Sequence, residues 1–435
     1  MTTGNCFYDT GSFMKTAALV IFIAVYAVMI LLPKRRVWGA LAGAVLFVIL
    51  GIVGFGDLAG TIDFNVLLMI AGMMITVSYF GMSGMPMKIA DGILDKSKDL
   101  RMVIIALSLF AGIISAFIDN VATVLMIAPV AIAISKKLKV SPIPMIVSIA
   151  VSSNLQGAAT LVGDTTSIML GSYARMTFAD FFFMNGKAGI FFAVELGALC
   201  TIPVMMKIFG KLRQPVEAKE KTIVRDYVPT AALVMTIITL IIASFFPDRP
   251  DMTNGVVCML FALICVIWSL ISTHKNAQVK TAVSEFDWQT ILLLASLFVV
   301  IGGITNVGII DDIADFFVKI GGDNYFLLYT LVVWGSVLIS AFIDNIPYVS
   351  AMLPVIAGIS RIMGIEPYLL YFGLLCGATL GGNLTPFGAS ANITGIGILR
   401  KNGYEVSTKD FCRISVPFTL TAVTAGYVFL WFMWR

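Results

Sequence analysis

Two acidic dipeptides sit where acids are costly. Ser115-Ala116-Phe117-Ile118-Asp119-Asn120 returns as Ser340-Ala341-Phe342-Ile343-Asp344-Asn345, each copy inside a long apolar stretch and each followed by a proline at the same distance, Pro129 and Pro354. A carboxylate at the centre of a membrane span costs roughly 2.5–3.5 kcal/mol or more, so its presence points to function. Asp and Asn are favoured N-caps, and the free N–H groups at a helix start carry partial positive charge. Carboxylate, amide and carbonyl oxygens are hard ligands, suited to a small cation such as Na⁺. Asp119, Asn120, Asp344 and Asn345 are therefore the expected Na⁺ ligands, with no metal cofactor implied beyond Na⁺ or H⁺ as coupling ion.

Two glycine-rich breaks offer more oxygen. The first runs Ser152-Ser153-Asn154-Leu155-Gln156-Gly157-Ala158-Ala159-Thr160-Leu161-Val162-Gly163-Asp164, the second Gly381-Gly382-Asn383-Leu384-Thr385-Pro386-Phe387-Gly388-Ala389-Ser390-Ala391-Asn392. Unwound backbone at membrane depth must line protein or a wet cavity. Ser115, Asn154, Gly157, Thr160, Gly163, Asp164, Ser340, Gly382, Asn383, Thr385, Gly388 and Asn392 join the tips as candidate cation- and substrate-binding residues. Lone Asn and Thr residues in spans also serve as interhelical hydrogen-bonders. Asp164 is weaker as a candidate because Ala389 stands opposite it, and Asp180 and Glu195 have no motif around them.

The elements that must hold these residues follow from composition. Hydrophobic residues make up 59% and charged residues 12% of 435. Soluble domains carry about 25% charged residues, so the chain is expected to be an all-α polytopic membrane protein whose partners are the lipid bilayer and a small ionic substrate. The net charge of +4 gives no nucleic-acid signal, since the basic residues cluster in short loops. The six cysteines show no metal or disulfide spacing, and the single His274 lies in a polar loop, which leaves no histidine relay within the membrane. No nucleophile–base pair or histidine metal cluster stands within the spans, so an enzyme is not expected. The sequons at Asn383 and Asn392 fall in the broken span and are discounted as glycosylation sites. No cleavable signal is expected at the amino terminus.

In order, spans are predicted near 13–32, 38–54 and 64–82. An interfacial amphipathic helix follows from Met85 to Lys96, then a re-entrant hairpin (102–118 and 121–135), a discontinuous span (143–174) and a span at 188–209. After a charged linker, 210–226, the order repeats: spans near 228–246, 255–272 and 288–306, an interfacial helix from Ile309 to Ile320, a hairpin (325–342 and 346–360), a broken span (367–399) and a last span at 414–433. Residues match between halves too. At an offset of 224, Asp63-Phe64 pairs with Asp287-Trp288, Gly84 with Gly308 and Ile89-Ala90-Asp91 with Ile313-Ala314-Asp315; at 225, Gly157, Thr160 and Gly163 pair with Gly382, Thr385 and Gly388.

Loop charge fixes the expected topology. With Lys34-Arg35-Arg36 cytoplasmic and the hairpins not crossing, the inner segments hold 22 of the 29 lysines and arginines, the asymmetry the positive-inside rule describes. The halves are then inverted copies, the first hairpin opening from inside and the second from outside, with the amino terminus outside and the protein in the plasma (inner) membrane. Inverted repeats with broken helices are the build of secondary transporters. The domains expected are repeat 1 over 1–209 (scaffold part 13–100, transport part 101–209), the cytoplasmic linker 210–226, and repeat 2 over 227–435 (scaffold part 227–323, transport part 324–435).

The phrases SAFIDNVATVLMIAP, SNLQGAATLVGDTTS, SAFIDNIPYVSAMLP and GGNLTPFGASAN resemble the ion transporter superfamily, in particular the arsenite-permease and sodium/proton-antiporter D group with its citrate transporter-like domain. The P protein family and the divalent-anion/sodium symporters are related. The resemblance covers essentially the whole chain. It implies two cation sites flanking a substrate, an elevator motion of a transport domain against a scaffold, and a homodimer through the scaffold. In place of the group's usual Gly-Asp-Pro-Pro-Asn this chain has Gly163-Asp164-Thr165-Thr166-Ser167. The function expected is cation-coupled transport of a small anion or small acid (oxyanion, arsenite or carboxylate), with a Na⁺/H⁺ antiporter using Asp119 and Asp344 as the alternative. No lysine or arginine is expected near either motif, so an anion would depend on bound cations and helix N-termini.

Overall fold

The computed structural model describes residues 5–216, 222–246, 248–272, 276–322 and 324–435. His274 and the linker residues Glu217, Lys219, Glu220 and Lys221 lie outside them. The first half comprises α1 (Asn5–Leu31), α2 (Arg36–Ile49), a single turn α3 (Leu58–Thr61), α4 (Phe64–Met82), α5 (Met85–Lys96), α6 (Leu100–Ser115), α7 (Asn120–Leu138), α8 (Ile143–Gly157), α9 (Thr165–Tyr173) and α10 (Ile190–Ile208). The second comprises α11 (Val228–Ala243), α12 (Thr253–Ile271), α13 (Asn276–Glu285), α14 (Trp288–Asn306), α15 (Ile309–Gly321), α16 (Tyr325–Ser340), α17 (Asn345–Met363), α18 (Tyr368–Gly381), α19 (Ser390–Lys401) and α20 (Thr408–Trp434). Among the described residues, eight helices are long and apolar enough to cross a membrane.

The helix starts show why the halves repeat. Asp63 caps α4 through the Val66 N–H at 3.0 Å, and Asp287 caps α14 through the Thr290 N–H at 3.1 Å. Asp99 caps α6 and Asn324 caps α16 in the same way, at 2.8 and 3.0 Å. Gly84 and Gly308 enter α5 and α15 at φ of +82° and +76°, a conformation that costs a glycine little. A side-chain cap satisfies a backbone donor that would otherwise be orphaned, worth about 1 kcal/mol each.

Packing repeats as well. α4 lies against α12, and α2 against α14; α6 lies against α8, and α16 against α18; α5 meets α7, and α15 meets α17; α10 and α20 pack on each other. A large hydrophobic core runs through the molecule from Ala18 to Trp434, with a small second cluster of Tyr79, Ala232, Cys265 and Ala282 beside it.

Two elements were not legible beforehand. α13 precedes α14 with few apolar residues, and a two-stranded hairpin pairs Phe183–Met184 with Lys187–Ala188. Its turn, Asn185-Gly186, has φ of +52° and +74° at the two residues, the sequence and geometry of a tight hairpin turn.

Candidate functional site

The two hairpin tips are the turns between α6 and α7 and between α16 and α17. Asp119 caps α7, its Oδ2 accepting from the Val121 and Ala122 N–H groups at 3.0 and 3.2 Å. Asp344 caps α17, its Oδ1 accepting from the Ile346 N–H at 3.3 Å. Both aspartates are half-buried, and the Asn120 and Asn345 beside them are buried.

A cavity of about 610 Å³ joins the tips. Asp119, Asn120, Asp164 and Asn345 line it, together with Arg36, Glu285, Asp287 and Ser390 and an apolar wall that includes Ile70, Met73 and Leu125. Asp164 is buried in its wall: its Oδ2 accepts from Thr166 Oγ1 at 3.0 Å and from Asn345 Nδ2 at 3.2 Å, so a first-half carboxylate holds the second-half tip. Glu285 and Asp287 are exposed, with Ser78 Oγ donating to Glu285 at 2.6 Å.

The other candidates stand behind this wall. Asn154 and Asn383 make a buried amide seam between halves. Asn120 Nδ2 donates to Asn154 Oδ1 at 2.9 Å, Asn154 Nδ2 donates to the Thr379 carbonyl at 2.6 Å and to Asn383 Oδ1 at 3.2 Å, and Asn383 Nδ2 donates to the Val151 carbonyl at 2.9 Å. Ser115 lies 2.9 Å from Ser153 Oγ, and Ser340 Oγ donates to the Ala378 carbonyl. Thr160 and Thr385 donate to the carbonyls of Ala116 and Ala341, closing each break onto its own hairpin. Asn392 Nδ2 reaches the Gly382 and Thr385 carbonyls at 3.1 and 3.2 Å.

Backbone oxygens crowd one glycine in each break. A Cβ at position 163 would lie 2.6 to 2.8 Å from the carbonyl oxygens of Gly157, Ala116 and Ser115; a Cβ at 388 would lie 2.7 to 2.9 Å from those of Gly382, Ala341 and Ser340. Glycine is required at both places, and it leaves two cradles of carbonyl oxygen, one behind each tip.

One expectation needs correcting. Although no base stands near the tips in sequence, Arg36 at the start of α2 forms an ion pair with Asp344, 308 residues away, and Ser390 Oγ donates to the same carboxylate oxygen at 3.1 Å. Among the described residues no basic side chain pairs with Asp119. The two tips are thus alike in backbone and unlike in charge. Asp180 and Glu195 do not line the cavity; Asp180 accepts from the Thr177 N–H at 2.6 Å within its own turn.

The seam gives a prediction. Asn154→Ala orphans the Asn120 amide, the Asn383 oxygen and the Thr379 carbonyl, each costing about 1–3 kcal/mol when buried unpaired. The purified variant is expected to melt several degrees below wild type; an unchanged melting temperature would show that the seam bears no load.

Broken helices and hairpin tips gathered round one cavity inside a helical membrane body define a secondary transporter. The chain belongs to the citrate transporter family: the profile of that family, described as Citrate transporter, matches residues 19–377 and again 252–435. An uncharacterized transporter of Mycobacterium tuberculosis is 30% identical, the match covering 96% of this chain and 98% of that protein. The mouse P protein is 26% identical over 95% of this chain, which spans 60% of that protein's length. Among solved structures, the YdaH transporter of Alcanivorax borkumensis superposes with a TM-score of 0.58 at 14% identity, covering 86% of this chain and 87% of that one. MtrF of Neisseria gonorrhoeae, described as one of a class of antimetabolite efflux pumps, gives 0.57 at 17%, covering 89% and 83%. These two likenesses concern the fold.

Proposed function

We propose that the protein is a cation-coupled carrier for a small carboxylate or other small anion, driven by Na⁺ or H⁺. The observation that carries this reading is the meeting of both tips, from halves far apart in sequence, around one cavity of about 610 Å³. Asp119 and the two carbonyl cradles offer oxygen to cations, and a carboxylate substrate is the chemistry suggested by the family's description.

Loop charge supports a direction. Arg36, Met82, Met87 and Glu285 lie at the helix ends expected to be cytoplasmic, and all line the cavity. On that topology this state faces inward. The parts 101–209 and 324–435 would move as the elevator against 13–100 and 227–323, carried in the plasma membrane by a dimer joined through the latter pair.

A Na⁺/H⁺ antiporter is the second reading. It is favoured by charge: Asp119, Asp164, Glu285 and Asp287 line the cavity against Arg36. Proteoliposomes decide between them. Uptake of citrate, arsenite or arsenate against its gradient, strictly dependent on an imposed Na⁺ or H⁺ gradient, is expected. Proton movement on a sodium gradient with no other solute, and no anion flux, would replace the first reading by the second.

A further inference from the structure

The ion pair between Arg36 and Asp344 is more than a strut. Arg36 carries the positive charge among the cavity-lining residues, and its side chain is 27% exposed; Asp344 is 14% exposed. Asp119 and Asp164 face the same space from α7 and the start of α9, Glu285 and Asp287 from the end of α13 and the start of α14, and Ser390 from α19. A small anion entering meets four acids lining the walls, and one guanidinium already engaged.

We propose that Arg36 is the residue that binds the anionic substrate, and that Asp344 withholds it until a cation takes its place. This rests on the anion-carrier reading above and deepens it. In the empty protein the guanidinium serves as an internal stand-in for the coupling cation at Asp344. A half-buried carboxylate stripped of its partner is strongly destabilised, so Arg36 leaves only when Na⁺ takes its place at Asp344. The planar donor fork of arginine then matches a substrate carboxylate or oxyanion in the same paired geometry. Anion and cation each bind better when the other is present, and the coupling is reciprocal. The pair also joins α2 to the tip of α17, where a second tie, Tyr26 Oη donating to the Pro347 carbonyl at 2.6 Å, holds α1 to the same segment.

The test is equilibrium binding to the purified full-length protein in detergent, with citrate and arsenate as anion probes and Na⁺ measured separately, at one fixed pH. Wild type is expected to bind anion at least tenfold more tightly with saturating Na⁺ than without it. Asp344→Asn is expected to bind anion with no such dependence. Arg36→Gln should lose at least tenfold in anion affinity while its affinity for Na⁺ rises, because the competitor is gone. The double variant, which leaves no lone charge and so guards against misfolding, should bind no anion. Wild-type anion affinity in Arg36→Gln, or an undiminished cation requirement in Asp344→Asn, overturns the proposal. So does a wild type that binds neither anion yet exchanges Na⁺ for protons, which leaves the antiporter standing. A wild type with no gradient-coupled flux of any kind fails the carrier reading itself.

Discussion

Asp119→Asn is expected to abolish cation-coupled transport and leave the protein folded. Asparagine is as good an N-cap as aspartate, so the Val121 and Ala122 N–H groups keep an acceptor on α7. What disappears is the charge. With a cation bound, Asp119 would be one member of a charge pair, and losing such a member costs about 2–5 kcal/mol; 2.8 kcal/mol is about 100-fold in affinity. Coupled flux in proteoliposomes should fall by about two orders of magnitude or more, with insertion and melting temperature near wild type. Unchanged coupling would remove Asp119 from the cation path. Asp119 is the sharper of the two tips to test because no base among the described residues pairs with it, whereas any change at Asp344 also releases Arg36.

Gly163→Ala and Gly388→Ala are expected to be strongly damaging for so small a change. Each would place a methyl within 3 Å of three carbonyl oxygens that are backbone and have little room to give. Overpacking of this kind costs about 1–3 kcal/mol, and here it displaces carbonyl oxygens that we propose as cation ligands. Transport should be lost in both, with a melting temperature lowered by several degrees. Gly397→Ala, on α19, is the control: no atom lies within 4 Å of its added Cβ, and alanine gains up to about 1 kcal/mol in helix propensity. If Gly163→Ala transports like Gly397→Ala, the cradle is not used.

Much of this architecture was readable in the chain because a repeat tests itself. The duplicated Ser-Ala-Phe-Ile-Asp-Asn phrase, the paired glycines and the paired caps placed both hairpins and both breaks to within a few residues, and all four tip residues were legible as candidates. What escaped was whatever the repeat does not share. Asp164 ranked low because Ala389 opposes it, yet it is the buried carboxylate that meets Asn345 across the two halves. Arg36 read as one more loop charge on the expected inner side, since nothing local ties it to a tip 308 residues on. Glu285 and Asp287 likewise read as a loop and a cap. Periodicity and spacing report on neighbours along the chain; a cavity is closed by residues that are neighbours only after folding.

The amide seam restricts how the molecule can move. Parting α8 from α18 would strip the Asn154 and Asn383 amides of partners in a dry interior, at a cost of roughly several kcal/mol. On the proposed elevator the two broken helices would travel as a single rigid carriage, and whatever is bound at either break would cross in the same stroke.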